Sequence, residues 1–304
     1  MTERHRYLTV DVFTNRPFAG NQLAIFPDAR AIPDDRLADI AREFNLSETV
    51  FVYPPADEKH TRRVRIFTPA EELPFAGHPT VGTAYALAAI GEITLAGPET
   101  RIVLEEGVGP VTVMIRGEGH SPTFAQLSVA KLPEIGPPAP GRSHLAEVLG
   151  LDATDILGGM SSPQAVSCGL PFLFVPVRDR DAVARARVRM DHWESGLKSY
   201  WAPQVMVFSR DAEQPGVDVH ARVFVPGLAV PEDPATGSAA AALGGYLAAR
   251  ESAADAKLQY VVEQGVEMGR PSMLHIEVDK SDGDVRAVRV GGECVMMSEG
   301  AISA

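Results

Sequence analysis

Cysteine is nearly absent from this sequence. Its 304 residues include two cysteines, Cys168 and Cys294, and neither belongs to a Cys-x-x-Cys pair. Two such residues cannot build a disulfide framework, and their spacing is untypical of structural zinc sites and thioredoxin-like redox motifs. A chain of this length can bury a sizeable core without covalent or metal support.

Basic residues and long apolar runs are also scarce. Lys and Arg number 28 against 40 for Asp and Glu, which gives a net charge of −12. Sequence-independent binding of nucleic acid needs a basic surface, so the acidic balance argues against a nucleic-acid partner. The longest apolar run, 239–249, is too short to span a bilayer, and the polar start at 1–7 is unlike a signal peptide. We therefore expect a cytoplasmic protein with no membrane partner.

The motifs of several common enzyme classes are missing. The sequence contains neither a GxxxxGKS/T phosphate loop nor an HExxH zinc motif, and Gly107-Val-Gly109 lacks the third glycine of a dinucleotide fingerprint. No GxSxG nucleophile elbow surrounds Ser161. No group of carboxylates and histidines has the spacing of metal ligands. We expect neither a cofactor nor a metal.

Glycine, proline and β-branched residues are plentiful and predict many turns and short strands. Two stretches, 79–90 and 239–249, consist mainly of small apolar residues and predict helices that are buried on all sides. Further helices are predicted at 34–44, 143–149 and 180–189. Strands are predicted at 7–13, 50–52, 64–67, 111–115, 172–177, 205–208, 219–225 and 274–278.

The sequence also contains an internal echo. Arg65-Ile-Phe-Thr-Pro69 precedes Pro74-Phe-Ala-Gly-His78, and Arg222-Val-Phe-Val-Pro226 precedes Pro234-Ala-Thr-Gly-Ser238, about half the chain later. A fainter echo pairs residues 20–27 with 169–176. Coincidence of common turn residues is the alternative, but two echoes in the same order favour a duplication.

The duplication predicts two similar domains. We expect an N-terminal half at 1–130 and a C-terminal half at 141–304, whose last strand could cross back to the first half. The Pro-rich stretch 131–140 between them is typical of a linker.

Each half places a Gly-containing loop at the start of a small-residue helix. The N-terminus of a helix presents unpaired N–H groups and attracts carboxylates and phosphates. If both helix starts face a cleft between the domains, they would form a site for a small carboxylate, since such clefts favour ligands. The alternative is ordinary capping of each helix by Thr80 or Ser238.

Three titratable residues near these loops are candidates for chemistry. The helix dipole at His78 favours a neutral ring, although a structural histidine is the alternative. Asp233 could act chemically or simply complement the dipole of the second helix. Glu48 stands directly before an apolar strand, where partial burial would favour acid/base behaviour, but a solvated glutamate is the alternative.

The motifs together resemble the PhzF-like phenazine-biosynthesis family, over nearly the whole chain. The residues that carry the resemblance are Asp11-Val-Phe-Thr14, Pro17-Phe-Ala-Gly-Asn21, Ser47-Glu-Thr49, Phe67-Thr-Pro69, Pro74-Phe-Ala-Gly-His-Pro-Thr80, Glu232-Asp-Pro-Ala-Thr-Gly-Ser238 and Gln264-Gly265 with Met268-Gly-Arg-Pro-Ser272.

This resemblance implies the α+β fold of diaminopimelate epimerases. In that fold two similar domains, related by a pseudo-twofold axis, each wrap a mixed barrel-like sheet around a central helix. It also implies a homodimer and a cofactor-independent isomerase of a small cyclic carboxylic acid similar to trans-2,3-dihydro-3-hydroxyanthranilate.

The resemblance further implies roles for individual residues. Glu48 would shuttle the proton in the interdomain cleft, while His78, Asp233 and Ser238 orient and polarise the substrate. The substrate-binding residues would be Asn21 and the two helix-start glycines, Gly77 and Gly237, whose N–H groups would hold the carboxylate.

Two other functions stay open from the residues. One is a non-catalytic protein that binds a small carboxylate, and another is an epimerase that uses Glu48 and Asp233. A racemase with one cysteine in each helix-start loop is disfavoured, because Cys168 and Cys294 lie elsewhere and are expected to be buried and inert.

Overall fold

The computed structural model describes residues 4–212, 214–228 and 230–304; residues 1–3, 213 and 229 lie outside the described part. The α-helices are α1 (Leu37–Phe44), α2 (Gly77–Ala89), α3 (Arg142–Leu149), α4 (Arg180–Arg185), α5 (Met190–Gly196) and α6 (Gly237–Ala248). The strands are β1 (Arg4–Val12), β2 (Asn21–Phe26), β3 (Glu48–Tyr53), β4 (Arg62–Phe67), β5 (Glu72–Leu73), β6 (Glu99–Glu106), β7 (Gly109–Glu118), β8 (Ser121–Ser128), β9 (Glu134–Ile135), β10 (Gln164–Ser167), β11 (Pro171–Pro176), β12 (Gln204–Ser209), β13 (Val219–Val225), β14 (Val230–Asp233), β15 (Ala256–Gln264), β16 (Ser272–Ser281), β17 (Asp284–Gly292) and β18 (Cys294–Ser303).

The chain forms two compact units. The first consists of Met1–Ala130 with Val290–Ala304, and the second of Lys131–Arg289. The Pro-rich segment expected as a linker falls in the second unit, where Glu134 and Ile135 pair with β10.

The sheet of the first unit is mixed. β1 pairs antiparallel with β2 and β18, β2 runs parallel to β3, and β3 pairs antiparallel with β4. β4 then runs parallel to β6, which begins an antiparallel series with β7 and β8. α2 packs against β1, β2, β3, β7, β8 and β18, so strands from all parts of the sheet contact this one helix.

The second unit repeats this pattern of pairing. β10 and β11 are antiparallel, β11 and β12 parallel, and β12 and β13 antiparallel. β13 pairs antiparallel with the short β14 and parallel with β15, which pairs antiparallel with β16. The helix against this sheet is α6. The expected α+β fold, with two similar mixed sheets and a buried helix in each, is confirmed.

Close packing explains the small residues of the two buried helices. A Cβ added to Gly82 in α2 would lie 2.6 Å from the Val12 side chain, and one added to Gly244 in α6 would lie 2.8 Å from that of Ile276. Larger side chains at these glycines would push the helix away from its sheet, since protein interiors are close-packed. Both helices begin two residues before the predicted start, at Gly77 and Gly237.

The helix predicted over 180–189 is shorter than expected. It ends at Arg185, and Ala186 turns to an extended ψ of 133°. The buried guanidinium of Arg222 donates to the backbone carbonyls of Val183, Ala184 and Ala186. A side chain from a distant strand therefore caps this helix, which no local pattern could predict.

Candidate active site

Neither buried helix has a side-chain cap at its N-terminus among the described residues. The N-cap of α2 is Ala76, and the Thr80 hydroxyl instead lies 2.7 Å from the Ala76 carbonyl oxygen. The N-cap of α6 is Thr236, whose side chain makes no capping bond, and Ser238 is the second residue of the helix. Capping by Thr80 or Ser238, the alternative weighed above, is therefore wrong, and both helix starts keep the N–H groups that attract an anion.

In the first unit, three of the expected site residues come together. Asn21 begins β2, Glu48 begins the parallel neighbour β3, and His78 is the second residue of α2. His78 Nε2 lies 3.3 Å from Glu48 Oε2, and His78 Nδ1 lies 3.3 Å from Asn21 Nδ2. When the Asn21 amide donates to Nδ1, the single proton of a neutral His78 ring lies on Nε2. Nε2 and Glu48 Oε2 are in close contact, but the contact does not have the geometry of a hydrogen bond.

His78 is buried and neutral. Burial lowers its pKa to about 3, against a hydrogen bond with the backbone of Gln22 that acts in the opposite direction. The neutral ring expected from the sequence agrees with this direction, but its largest cause is desolvation rather than the helix dipole. The Glu48 side chain, by contrast, keeps 15% of its surface exposed. The pair thus joins a neutral imidazole to a carboxyl group that is partly exposed.

In the second unit, the other expected residues lie around the start of α6. Asp233 ends β14 and is buried, and its Oδ2 accepts a hydrogen bond from the Thr236 hydroxyl. Gly237 and Ser238 follow directly as the first two residues of the helix. The structure therefore groups Asp233, Gly237 and Ser238 within one short segment.

Gln264 forms hydrogen bonds with this segment, although the sequence indicated no role for it. Its Nε2 donates to the Asp233 carbonyl at 2.7 Å and to Thr236 Oγ1 at 3.1 Å, while its Oε1 accepts from the Thr236 N–H at 3.2 Å. Gln264 and Thr236 both belong to motifs quoted above, so their presence there was a usable signal. Their contact joins residues 28 positions apart, which spacing could not reveal.

A buried charged group supports the same region. His220 donates from Nδ1 to Glu263 Oε1 at 2.9 Å and from Nε2 to Glu267 Oε1 at 2.8 Å. Burial acts to lower the pKa of His220, but its hydrogen bonds and charge interactions with the two glutamates outweigh it and raise that pKa. Glu263 and Glu267 flank Gln264, so the imidazolium holds the turn that braces the start of α6.

Replacing His220 by Asn should destabilise the second unit more at pH 6 than at pH 8.5. Because folding raises the pKa of His220, its stabilising effect is fully present below the ordinary histidine pKa of 6.5. The effect is lost as the pH rises through the pKa that His220 has in the folded protein. We expect a loss of about 3 kcal/mol at pH 6, because two carboxylates lose their buried partner. Urea unfolding followed by fluorescence of Trp193 and Trp201, which lie in this unit, would measure it. A loss that is equal at both pH values would contradict the prediction.

The two cysteines are inert, as expected. Both are free and buried. Burial raises the pKa of each thiol to about 12, so neither forms a thiolate at neutral pH. Chemistry by paired cysteines is therefore excluded for these two residues.

The residues that the structure describes contain no group of three or more His, Cys, Asp or Glu side chains arranged to hold a metal ion. None of their helices combines the length and apolar character needed to cross a bilayer.

Known proteins similar to this chain share its length and fold. A protein named uncharacterized isomerase from Mesorhizobium japonicum is 40% identical over 304 residues, with 98% of each chain covered. The trans-2,3-dihydro-3-hydroxyanthranilate isomerase of Pseudomonas aeruginosa is 33% identical over 299 residues, which cover 97% of this chain and 98% of the other. The crystal structure of a Bacillus anthracis phenazine biosynthesis protein of the PhzF family matches with a TM-score of 0.88 at 26% identity and covers 99% of both chains.

The sequence also matches a family model over most of its length. The model describes the PhzC-PhzF phenazine biosynthesis-like proteins and covers residues 10–300. The resemblance drawn from the motifs is thereby confirmed. The chain belongs to the PhzC-PhzF family of phenazine biosynthesis-like proteins and is an isomerase.

Proposed function

We propose that this isomerase moves a proton between two carbon atoms of a small cyclic carboxylic acid, with Glu48 as the acid/base and without a cofactor. The observation that carries the proposal is the contact of 3.3 Å between Glu48 Oε2 and His78 Nε2 at the start of a buried helix. A proton shift leaves the oxidation level of the substrate unchanged, so it needs no redox partner.

The pKa of His78 and the exposure of Glu48 indicate which of the two side chains carries the proton. A ring whose pKa burial lowers to about 3 holds a proton too weakly to collect one from carbon at neutral pH. His78 therefore serves as a neutral polar neighbour of Glu48, oriented by Asn21. Glu48 is the partly exposed group of the pair, and it takes the proton from one carbon and returns it to another.

The start of each buried helix supports binding of the substrate carboxylate. The backbone N–H groups at Gly77–His78 and at Gly237–Ser238 belong to helix termini without side-chain caps. Such termini favour anions, so we assign the carboxylate to them. Asp233 and Ser238 would contact the polar ring substituents. That both helix starts share one cleft, and that the protein is a homodimer, remain predictions.

The substrate class comes from the relatives. A relative that covers nearly the same length is named trans-2,3-dihydro-3-hydroxyanthranilate isomerase, and its name describes a cyclic carboxylic acid with amino and hydroxyl groups. A carboxylate for the helix starts and ring substituents for Asp233 and Ser238 suit such a molecule. We extend the proposal to this class of compound, not to that compound alone.

Proton exchange in D₂O tests the proposal. The enzyme is incubated in D₂O with trans-2,3-dihydro-3-hydroxyanthranilate and a panel of related cyclic acids, and NMR follows deuterium at each ring carbon. We expect deuterium at the carbon that receives the proton, because a solvent-accessible carboxyl group exchanges its proton between the two steps.

Other outcomes distinguish the alternative functions. An increase of Tm with ligand, but no exchange or turnover across the panel, would indicate a carboxylate-binding protein. Loss of optical rotation at one chiral carbon, without a shift of the double bond, would indicate an epimerase that uses Glu48 and Asp233.

A further inference from the structure

A second buried carboxyl group lies beside the helix that carries His78. Glu106 ends β6 and is only 8% exposed. Its Oε1 lies 2.6 Å from Thr80 Oγ1, and the same hydroxyl oxygen lies 2.7 Å from the Ala76 carbonyl oxygen. Glu106 has no part in the site described above.

The number of protons available to the Thr80 hydroxyl and its two neighbours indicates the charge of Glu106. The Thr80 hydroxyl has one proton to donate, yet it makes short contacts with two oxygens. The Ala76 carbonyl can only accept, so the hydroxyl proton goes there. The contact of 2.6 Å with Glu106 then needs a proton from the carboxyl group itself.

The second oxygen of Glu106 leads to the same conclusion. Glu106 Oε2 is buried and has no hydrogen-bond partner within the part of the chain that the structure describes. A bare carboxylate oxygen in that position would be far more costly than the carbonyl oxygen of a neutral acid. Consistently, burial raises the pKa of Glu106 to about 8.

The charged groups around Glu106 have other partners. Glu106 lines a pocket of about 550 Å³ together with Arg63 and Arg65 of β4, Glu72 of β5 and Glu105 of β6. Arg65 is bound by both oxygens of Glu72, and the Arg63 guanidinium stacks over the Tyr53 ring. Glu105 accepts from two backbone N–H groups and contacts His60. On α2 itself, the titratable side chains are the neutral His78 and Tyr85, whose pKa is raised by burial.

We infer that Glu106 is a neutral carboxylic acid that donates its proton to Thr80 and thereby positions the first turn of α2. That turn carries Gly77 and His78. Glu106 is a positioning residue, since it acts through Thr80 and Ala76 and not on the substrate. Its effect on turnover rests on the proposed function, whereas its effect on the fold does not.

Two substitutions distinguish a neutral Glu106 from an ionised one. Glu106→Gln keeps the shape, is neutral and can donate an amide N–H to Thr80, whereas Glu106→Leu cannot donate. At pH 7 we expect Glu106→Gln to keep kcat/KM within about threefold and Glu106→Leu to lose about tenfold or more. The loss of wild-type activity near pH 8 should be absent in Glu106→Gln. A Gln variant as impaired as the Leu variant would overturn the inference, because it would show that the charge is needed.

Measurements of Tm and of NMR shifts need no substrate, so they test this inference independently of the proposed isomerase activity. The ordinary pKa of a glutamate is 4.5, whereas Glu106 in the folded protein keeps its proton up to about pH 8. Between these pH values only the unfolded chain loses the proton, so the stability of the wild type falls with rising pH and then levels off. The Tm of Glu106→Gln should therefore rise relative to wild type from pH 5 to 8. The ring ¹⁵N shifts of His78 should match wild type in Glu106→Gln and move in Glu106→Leu.

Glu105→Gln is the matched control, since it removes a carboxyl group from the neighbouring position of the same strand. Its Tm should follow the wild-type dependence on pH. Parallel curves for wild type and Glu106→Gln would overturn the inference even if no substrate of the enzyme were found.

Discussion

Replacing Glu48 by Gln is expected to lower kcat for the proton shift by about 100- to 10,000-fold, the usual contribution of a general acid/base. The amide has the shape of the carboxyl group and can keep the contact with His78, but it cannot carry a proton between two carbons. KM should change little, because the carboxylate of the substrate is assigned to the helix starts. Steady-state kinetics and deuterium incorporation in D₂O would measure both effects.

Glu43→Gln is the matched control for this variant. Glu43 lies on α1, is exposed and loses the same charge on substitution. It should keep wild-type kcat and wild-type exchange. Unchanged exchange in Glu48→Gln would show that another group moves the proton, and Asp233 would then be the next candidate.

The second large effect concerns stability. Arg222→Met is expected to lower the free energy of unfolding by about 3–5 kcal/mol, the cost of breaking a buried ion pair from one side. The Arg222 side chain is 4% exposed and binds both oxygens of Glu232 at 2.8 Å. It also satisfies the three backbone carbonyls at the end of α4. Methionine would fill part of the space but leave all these acceptors without a donor.

The equivalent ion pair of the first unit, Arg65 with Glu72, is the control for Arg222→Met. Arg65 binds both oxygens of Glu72 at 2.7 Å and lies over Phe67, as Arg222 lies over Phe224. The Arg65 side chain is 27% exposed and that of Glu72 is 42% exposed. Arg65→Met should therefore cost only about 0–1 kcal/mol, as for surface ion pairs.

Urea unfolding would compare the two variants. Far-UV circular dichroism reports both units, and tryptophan fluorescence reports the second unit, because Trp193 and Trp201 both lie there. Equal losses for Arg222→Met and Arg65→Met would contradict the argument, since they would show that burial does not distinguish the two pairs.

The repeated motifs predicted a duplication, and the structure shows one local arrangement that occurs in each unit. Arg65 and Arg222 stand at equivalent places in the echo, and they bind glutamates that follow 7 and 10 residues later. The small residues of 79–90 and 239–249 predicted buried helices, because only small side chains allow a helix to pack this closely against a sheet. Their first turns were missed because glycine at a helix start is a weak signal when no side chain caps it.

Contacts between distant segments were beyond prediction. The α4 helix stops early because of Arg222, which lies nearly forty residues further along the chain. The bond between Thr80 and Glu106 joins residues 26 positions apart, and Glu106 did not stand out in the sequence. Periodicity and spacing describe neighbours along one element, so they carry no information about such pairs.

The sequence by itself determined the family, the two similar halves and the residue types of the candidate site. It also disfavoured a racemase with two catalytic cysteines, because the two thiols stand outside the helix-start loops. A neutral His78 ring was expected from the helix dipole, but only the tertiary structure showed that desolvation is its main cause, and only the tertiary structure revealed the buried Glu106. Burial lowers the pKa of His78 and raises that of Glu106, so both groups are neutral at pH 7. The physical reason is that the charge of a titratable side chain depends on how far folding removes it from water and on the partners that folding brings to it.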